Sequence, residues 1–463
     1  MVAAWDRRDA GERARVEALV LARWLPAAVT AAPFHAARTG GELDDRTLAD
    51  RTGLRQLIPH RERDVLAAAG GGASLVLRPT EGQIKATADD AVIRRIARAI
   101  GRDGREGQRD AIVEEYRPLT LHRGGVSGEL LIASSRSDLD RLHRTGARAA
   151  AVLGLGDEDV VTSLVPTGPS LAHLAVTHLA AGAGLTAWHP RGAGVDLATA
   201  ARAVAEVPTT VVVVTLDDAG ELPAALRAGR VRLGGVHTVV TVGPPPDDEV
   251  RGALQDAFET VGADVRIRAL WGPAAGRTLW AECGPGSGLH TYPDLEVLEV
   301  LDPLAGTPTD GDGDLTVTSA GWNGSALVRF QTGAWVEPLA TEPCPRCERT
   351  VPRIVGDVVE HAWELAVDLG QGAPGSVDLR GVAVVAATTP GVSAWRAELR
   401  SATATVPRDR LVVEFAGGGR DVDAVRERLT AATGLEPELR TGLEEVEVAA
   451  AVDRVGGILA DLR

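Results

Sequence analysis

The apolar residues of the N-terminal region recur at helical spacing. Over residues 11–25, Val16, Leu19, Val20 and Trp24 alternate with Arg13, Arg15, Glu17 and Arg23, which predicts an amphipathic helix ending before Pro26. Residues 43–57 predict a second short helix stopped by Pro59, because proline disfavours helix in the residue before it. Gly70-Gly71-Gly72 predicts a flexible turn. Val92, Ile93, Ile96, Ala97 and Ile100 form an apolar stripe opposite Arg94, Arg95 and Arg98, followed by a charged loop at 102–109. Such an arginine face can meet phosphates, although it is more often simply a solvated helix face.

From residue 160 the pattern changes to short continuous apolar runs separated by helical segments. Strands are expected at 160–165, 185–188, 210–215 and 236–242, with helices at 170–183, 197–204 and 222–228 between them. Buried strands joined by crossover helices imply a layered α/β sheet with both faces covered, and function in such folds collects at the strand ends. Near the C-terminus a strand at 411–415, a turn at Gly417-Gly418-Gly419, a helix at 422–433 and a strand at 445–448 predict a small α+β unit. The expected fold class is therefore α/β: a large N-terminal domain of layered, mainly parallel sheets and helices, plus a small α+β C-terminal domain. The boundaries are expected at 1–356 and 357–463, the first comprising a helical part (1–121), an α/β core (122–270) and a β-rich part (271–356).

A chain of 463 residues is long enough for two or more domains. Its net charge of -15 argues against a nucleic-acid partner, which needs a basic face to displace phosphate counterions. No apolar run reaches the roughly 18 residues of a membrane span, and the first residues lack signal-peptide character, so no membrane partner is expected. The three cysteines fit a reducing cytoplasm better than a disulfide scaffold. Among 49 basic residues Lys85 is the one lysine, which excludes any mechanism that needs a lysine further along the chain.

All three cysteines fall in one stretch, Cys283 and then Cys344-Pro345-Arg346-Cys347, with His290 seven residues after the first. C-x-x-C spacing wraps one tetrahedral metal, and Cys283 with His290 would complete four ligands. Thiolate and imidazole favour zinc over magnesium or calcium, and a closed set of four protein ligands reads as structural. The alternative is three reduced cysteines and a turn histidine.

The same stretch carries a family resemblance. Glu282-Cys283, Gly288-Leu289-His290, the acidic strand at 295–302, Gly313-Asp314-Leu315, Val328-Arg329-Phe330 and Arg353-Ile354-Val355-Gly356 resemble the matching run of the phenylacetate-CoA ligase family. That family belongs to the adenylate-forming superfamily of acyl-CoA synthetases, peptide-synthetase adenylation domains and luciferases, and the likeness extends from about residue 124 onward. It implies that Gly124, Gly125, Ser127 and Gly128, within His122-Arg123-Gly124-Gly125-Val126-Ser127-Gly128-Glu129, are the remnant of the loop that cradles ATP phosphates. It implies that Gly243 and Pro244 form the turn beside adenine, that Trp271 and Gly272 open the turn that carries the phosphate and Mg2+ contacts, and that His178 lies near a histidine of the acyl pocket. A lone helical histidine is, by itself, more often packed core.

Several positions depart from the family. Glu129 stands where a lysine or proline is usual, and a carboxylate beside triphosphate is repulsive. Trp271-Gly272-Pro273-Ala274-Ala275 lacks the hydroxyl and the Mg2+-binding carboxylate, and Gln331-Thr332-Gly333-Ala334 lacks the ribose-binding aspartate. Asp357 replaces the hinge arginine, while Arg380-Gly381-Val382 matches the motif that follows the hinge, and the C-terminal unit has no lysine for the adenylation transition state. The expectation is a ligase-like protein that binds or processes an acyl or aryl substrate in specialised metabolism, as free acid, CoA thioester or carrier-linked group. Adenylation is expected to be lost or altered, which argues against ATP and Mg2+ as cofactors, leaves room for CoA, and keeps zinc as a structural ion. The alternatives are a non-catalytic scaffold with a protein partner and a still active acid-CoA ligase.

Overall fold

A computed structural model describes residues 5–39, 50–80, 115–302, 306–360, 364–370, 374–403, 405–417, 421–448 and 459–461. The apolar stripe expected at 92–100 and the charged loop at 102–109 lie outside the described residues, as do the first part of the 43–57 helix and Gly418-Gly419.

Helix α1 (Ala10–Ala31) starts at an Asp9 cap and runs straight through Pro26, so the expected end before that proline is corrected. Proline inside a helix removes one hydrogen bond and costs about 3 kcal/mol. The segment around it is core, however: Leu21, Trp24, Leu25, Ala28 and Val29 pack with Val297, Ala326 and Val328. The Trp24 indole donates to the Trp322 carbonyl at 2.7 Å. Burial worth about 1.5–3 kcal/mol for each large side chain outweighs the lost bond. Helix α2 (Pro33–Thr39) turns away by 90°. Two short helices follow, α3 (Arg51–Gln56) with an Asp50 cap and α4 (Glu62–Ala67).

Strands β1 (Thr120–Gly124) and β2 (Leu130–Ser134) form an antiparallel hairpin whose tip is 125–129. Helix α5 (Arg136–Leu153) begins in a capping box made by Ser135 and Asp138. The alternating region then follows the expected order: β3 (Val160–Ser163), α6 (Leu171–Ala183), β4 (Thr186–Trp188), α7 (Leu197–Ala203), β5 (Val211–Thr215), α8 (Leu216–Ala228), β6 (Thr238–Val242), α9 (Asp248–Glu259) and β7 (Arg266–Trp271). Helix α8 starts earlier than the expected residue 222, because Thr215 caps it by accepting from the Asp218 N–H, and Pro223 is accommodated in its middle.

These strands pair in parallel, and the sheet is extended by β8 (Trp280–Glu282), antiparallel to β7, and β9 (Leu289–His290), antiparallel to β8. Strands β10 (Val297–Leu301), β11 (Gly313–Thr318) and β12 (Phe330–Val336) make a separate three-stranded antiparallel sheet, and β13 (Arg353–Ile354) returns to close the large sheet on β9. The eight-stranded order is β13-β9-β8-β7-β6-β5-β3-β4. One face carries a core made by α7, α8 and α9, including Leu222, Leu226, Leu254 and Phe258. The other carries α5 and α6, including Val152, Leu153, Val176 and Leu179.

The remainder is a hairpin of β14 (Glu364–Asp368) and β15 (Pro374–Asp378), helix α10 (Arg380–Thr388), the antiparallel pair β16 (Val392–Arg400) and β17 (Arg410–Gly417), helix α11 (Val422–Thr433), β18 (Glu438–Leu443) and β19 (Leu459–Asp461). Strands β18 and β19 flank β17 and β16 in parallel. The strand expected at 445–448 is corrected: those residues form a helical turn, and β17 pairs instead with β18. The Glu447 carboxylate accepts from the Glu444 N–H, which caps the turn locally. The whole is α/β, a large mixed, mainly parallel sheet covered by helices, with a small α+β sheet at the C-terminal end.

Candidate functional site

The chain turns sharply between β8 and β9, and Ser287 organises that turn. Its hydroxyl accepts from the N–H groups of Cys283 at 3.1 Å and Gly284 at 3.2 Å. Register then places His290 across from Ala281, so its Nδ1 donates to the Ala281 carbonyl at 3.1 Å and Nε2 is the atom that faces Cys347. The second half of the site is the Cys344-Pro345-Arg346-Cys347 knuckle, closed by Glu348 N–H to the Cys344 carbonyl and Cys344 N–H to the Arg349 carbonyl, at 2.9 and 2.8 Å. Arg353 on β13 ties the halves together by donating to the Ser287 carbonyl at 2.6 Å.

The result is a four-ligand cluster. One ligand atom each from Cys283, His290, Cys344 and Cys347 lies within 4.8 Å of all the others. Cys283 and Cys344 sulfurs are 3.7 Å apart, and Cys347 Sγ is 3.2 Å from His290 Nε2. A tetrahedral zinc with sulfur at about 2.3 Å sets its thiolates about 3.8 Å apart, so the spacing suits it. Burial pushes the Cys283 thiol up to about 12, with the neighbouring sulfurs adding to the effect. Burial also raises Cys347, but the bonds to His290 and Arg349 bring it down to about 7. Three thiols this close ionise together only around a cation, and the donor set can hold one such as zinc.

A buried frame supports the cluster. Arg251 on α9 donates to both oxygens of Glu282, at 2.8 and 3.3 Å, and to the Ile267 and Pro246 carbonyls. Glu282 also accepts from the Ala269 N–H at 2.9 Å, which fixes β7 to β8 immediately before Cys283. Glu296, buried, accepts from the Trp280 indole at 2.5 Å and the Tyr292 N–H at 2.9 Å, and burial pushes its carboxyl up to about 7.

The other expected site residues fall into two groups. The hairpin tip, the 271–276 turn and the end of β6 lie together at the C-terminal edge of the parallel strands. His122 Nε2 is 3.3 Å from the Gly276 carbonyl, Gly124 lies against Ala274 and Ala275, and Gly243 N–H donates to the Leu270 carbonyl at 3.1 Å. Pro244 follows Gly243 half-buried, Gly272 is likewise half-buried, and buried Trp271 donates its indole N–H to Glu360 at 2.6 Å. Gly125, Ser127 and Gly128 form the tip itself. His178 sits apart, on α6 where it crosses α5: its ring meets that of His143 at 4.6 Å, and its carbonyl lies so near Gly146 that a Cβ there would collide. The cavity it lines, with Leu142, Ala175 and Leu270, measures about 10 Å3, room for about one water.

One residue of this region gives no sign in the sequence. Glu62, at the start of α4, is 1 % exposed and reaches the hairpin tip, accepting from the Val126 N–H at 2.5 Å and the Ser127 N–H at 3.1 Å, and from the Ser127 hydroxyl. In the chain it reads as one charge of Arg61-Glu62-Arg63, more than sixty residues away. The neighbouring strand β12 is bonded internally as well: Gln331 donates to Asp314 at 3.0 Å and accepts from Arg61 at 3.2 Å, while the Thr332 hydroxyl donates to the Leu315 carbonyl at 2.8 Å.

No protein-family model matches this chain, and no curated protein matches it. Its structure is similar to solved structures of a 2-hydroxyisobutyryl-CoA ligase. One, in complex with 2-HIB-AMP and CoA in the thioesterification state, matches with a TM-score of 0.59 at 14% identity, covering 94% of this chain and 87% of that one. Another, in the postadenylation state with R3-HIB-AMP, matches with a TM-score of 0.58 at 14% identity, covering 97% and 93%. The fold of this chain is that of these ligase structures, and at this identity the likeness is one of fold alone.

Proposed function

We propose that this is a phenylacetate-CoA-ligase-like protein in which ATP-dependent acid activation is lost or altered, and which binds an acyl or aryl group as free acid, CoA thioester or carrier-linked chain. The observation that carries the reading is the replacement of ligand-binding groups by internal packing along β12. Buried Ala334 stands where the resemblance requires a ribose-binding aspartate, and Gln331 and Thr332 spend their hydrogen bonds inside the protein. Similarly, Pro273-Ala274-Ala275 presents no carboxylate for Mg2+, and no lysine follows position 85. Each lost charge-stabilising group of this kind costs about 100-fold or more in rate, so several together remove ordinary turnover. The residues present do not fit Mg-ATP, and no adenylation step is assigned to them.

The Cys283, His290, Cys344 and Cys347 cluster is assigned one structural zinc, with no open position for substrate. It would staple β8, β9 and the 344–347 knuckle, and thiolate ligands suit a reducing cytoplasm. Calorimetric titration with Mg-ATP and pyrophosphate exchange over a panel of aryl and alkyl acids test the reading. The expected result is no exchange, with saturable binding of an acyl-CoA thioester. ATP-dependent exchange with any acid of the panel would overturn it.

A further inference from the structure

We propose that the hairpin tip at 125–129 is an anion site that the chain fills from within: Glu62 is its resident occupant and holds it closed to phosphate. This deepens the proposed function and rests on it for reading the tip as the former nucleotide loop. Gly125 and Gly128 have φ of +81° and +71°, and such left-handed glycines turn successive N–H groups to one side, making a concave nest for an anion. Two of those N–H groups, Val126 and Ser127, and the Ser127 hydroxyl converge on the Glu62 carboxylate. A phosphoryl oxygen would need the same three donors. The packing is also closed, since a Cβ on Gly125 would run into the Glu62 carboxylate.

The occupant is clamped on both sides. Arg61 donates to Gln331 at 3.2 Å, and Arg63 donates to the Ala432 carbonyl at the end of α11 at 2.6 Å. Three consecutive residues thus join strand β12, the tip and the C-terminal sheet unit. A carboxylate held this way competes with dissolved phosphate at an effective concentration of about millimolar or above. The tip is therefore closed by a tethered competitor as well as by the loss of a lysine.

Calorimetry with inorganic pyrophosphate on the full chain tests the assignment. E62A is expected to bind pyrophosphate saturably and at least tenfold more tightly than wild type, and S127A added to E62A is expected to remove most of that gain. Three results would overturn the proposal: a folded E62A that binds no more tightly than wild type, a wild type that already binds as E62A does, or a gain that ignores S127A. Should E62A fail to fold, amide NMR of the wild type carries the test. The Val126 and Ser127 amide protons are expected to move together through one carboxyl titration lying above the ordinary range, because burial raises Glu62 in spite of its donors. Amides that do not titrate would refute the contact. A negative E62A result leaves the proposed function standing, whereas acid-dependent pyrophosphate exchange by wild type ends that reading by itself.

Discussion

The cysteine–histidine cluster and the hairpin tip are both built on short turns that make polar groups converge, and they differ in what answers those groups. In the cluster, three sulfurs and an imidazole nitrogen point at one another, and each is a lone-pair donor. In the tip, two N–H groups and a hydroxyl converge on a carboxylate from the chain itself. Convergent groups of one sign mark a ligand site when their complement must come from outside. When the complement is internal, the same geometry is structure. The distinction rests on neighbours, because both turns look equally ligand-like in sequence.

The largest expected effect falls on the cluster. Cys344→Ser should lower zinc from one per chain toward none by elemental analysis, and should forfeit much of the roughly 10 kcal/mol that a structural zinc supplies. Metal-free wild-type protein with unchanged thermal unfolding would break the comparison at its first term. Arg251→Ala comes next. It strands the Glu282 carboxylate, which has 2 % side-chain exposure, beside Cys283, and breaking a buried pair from one side costs about 3–5 kcal/mol. Denaturant unfolding measures the loss, and a change below 1 kcal/mol would show that the frame is redundant.

Protonation sharpens the same frame. Burial raises Glu296 from its ordinary 4.5 to about 7 in the folded protein, so between those values the folded state binds the proton more tightly than the unfolded state. Stability should therefore fall as pH rises from about 4.5 to about 7, by something on the order of 3 kcal/mol. Glu296→Gln, with Thr278 able to turn its hydroxyl to accept, should flatten that slope; an equal slope in the variant would assign it elsewhere. The smallest effect belongs to the tip. Ser127→Ala removes a hydroxyl bond to a buried carboxylate and should cost about 1.5 kcal/mol by urea unfolding. No measurable cost would mean that Glu62 is held by the backbone alone.

Much of the fold was legible because local pattern and burial agree there. The alternation of apolar runs and crossover helices from 160 to 242 appears in the structure in the expected order, and the helix at Val422–Thr433 has the expected bounds. The misreadings lie where a local rule met a stronger tertiary one. Pro26 stays helical because the residues around it are core, and the alternating Glu-Val-Glu-Val at 445–448 forms a turn because Glu447 caps Glu444 and the strand position beside β17 is taken by β18. Within the site, the cysteines and His290 were legible since spacing of rare residue types is itself a signal. Arg251, Glu282's partner, and Glu62 were not, since a charged residue on a short helix carries no mark of burial.

The sequence alone pointed to the layered α/β class and to the four residues, Cys283, His290, Cys344 and Cys347, that the structure gathers into a cluster able to hold a metal, because periodicity and the spacing of cysteines are properties of neighbours along the chain. Tertiary structure decided which polar groups are already satisfied. Glu62 meets Val126 and Ser127 across sixty-four and sixty-five positions, and Arg251 meets Glu282 across thirty-one. A charge buried against distant donors is fixed by the folded packing that excludes water from both, and no local pattern encodes that.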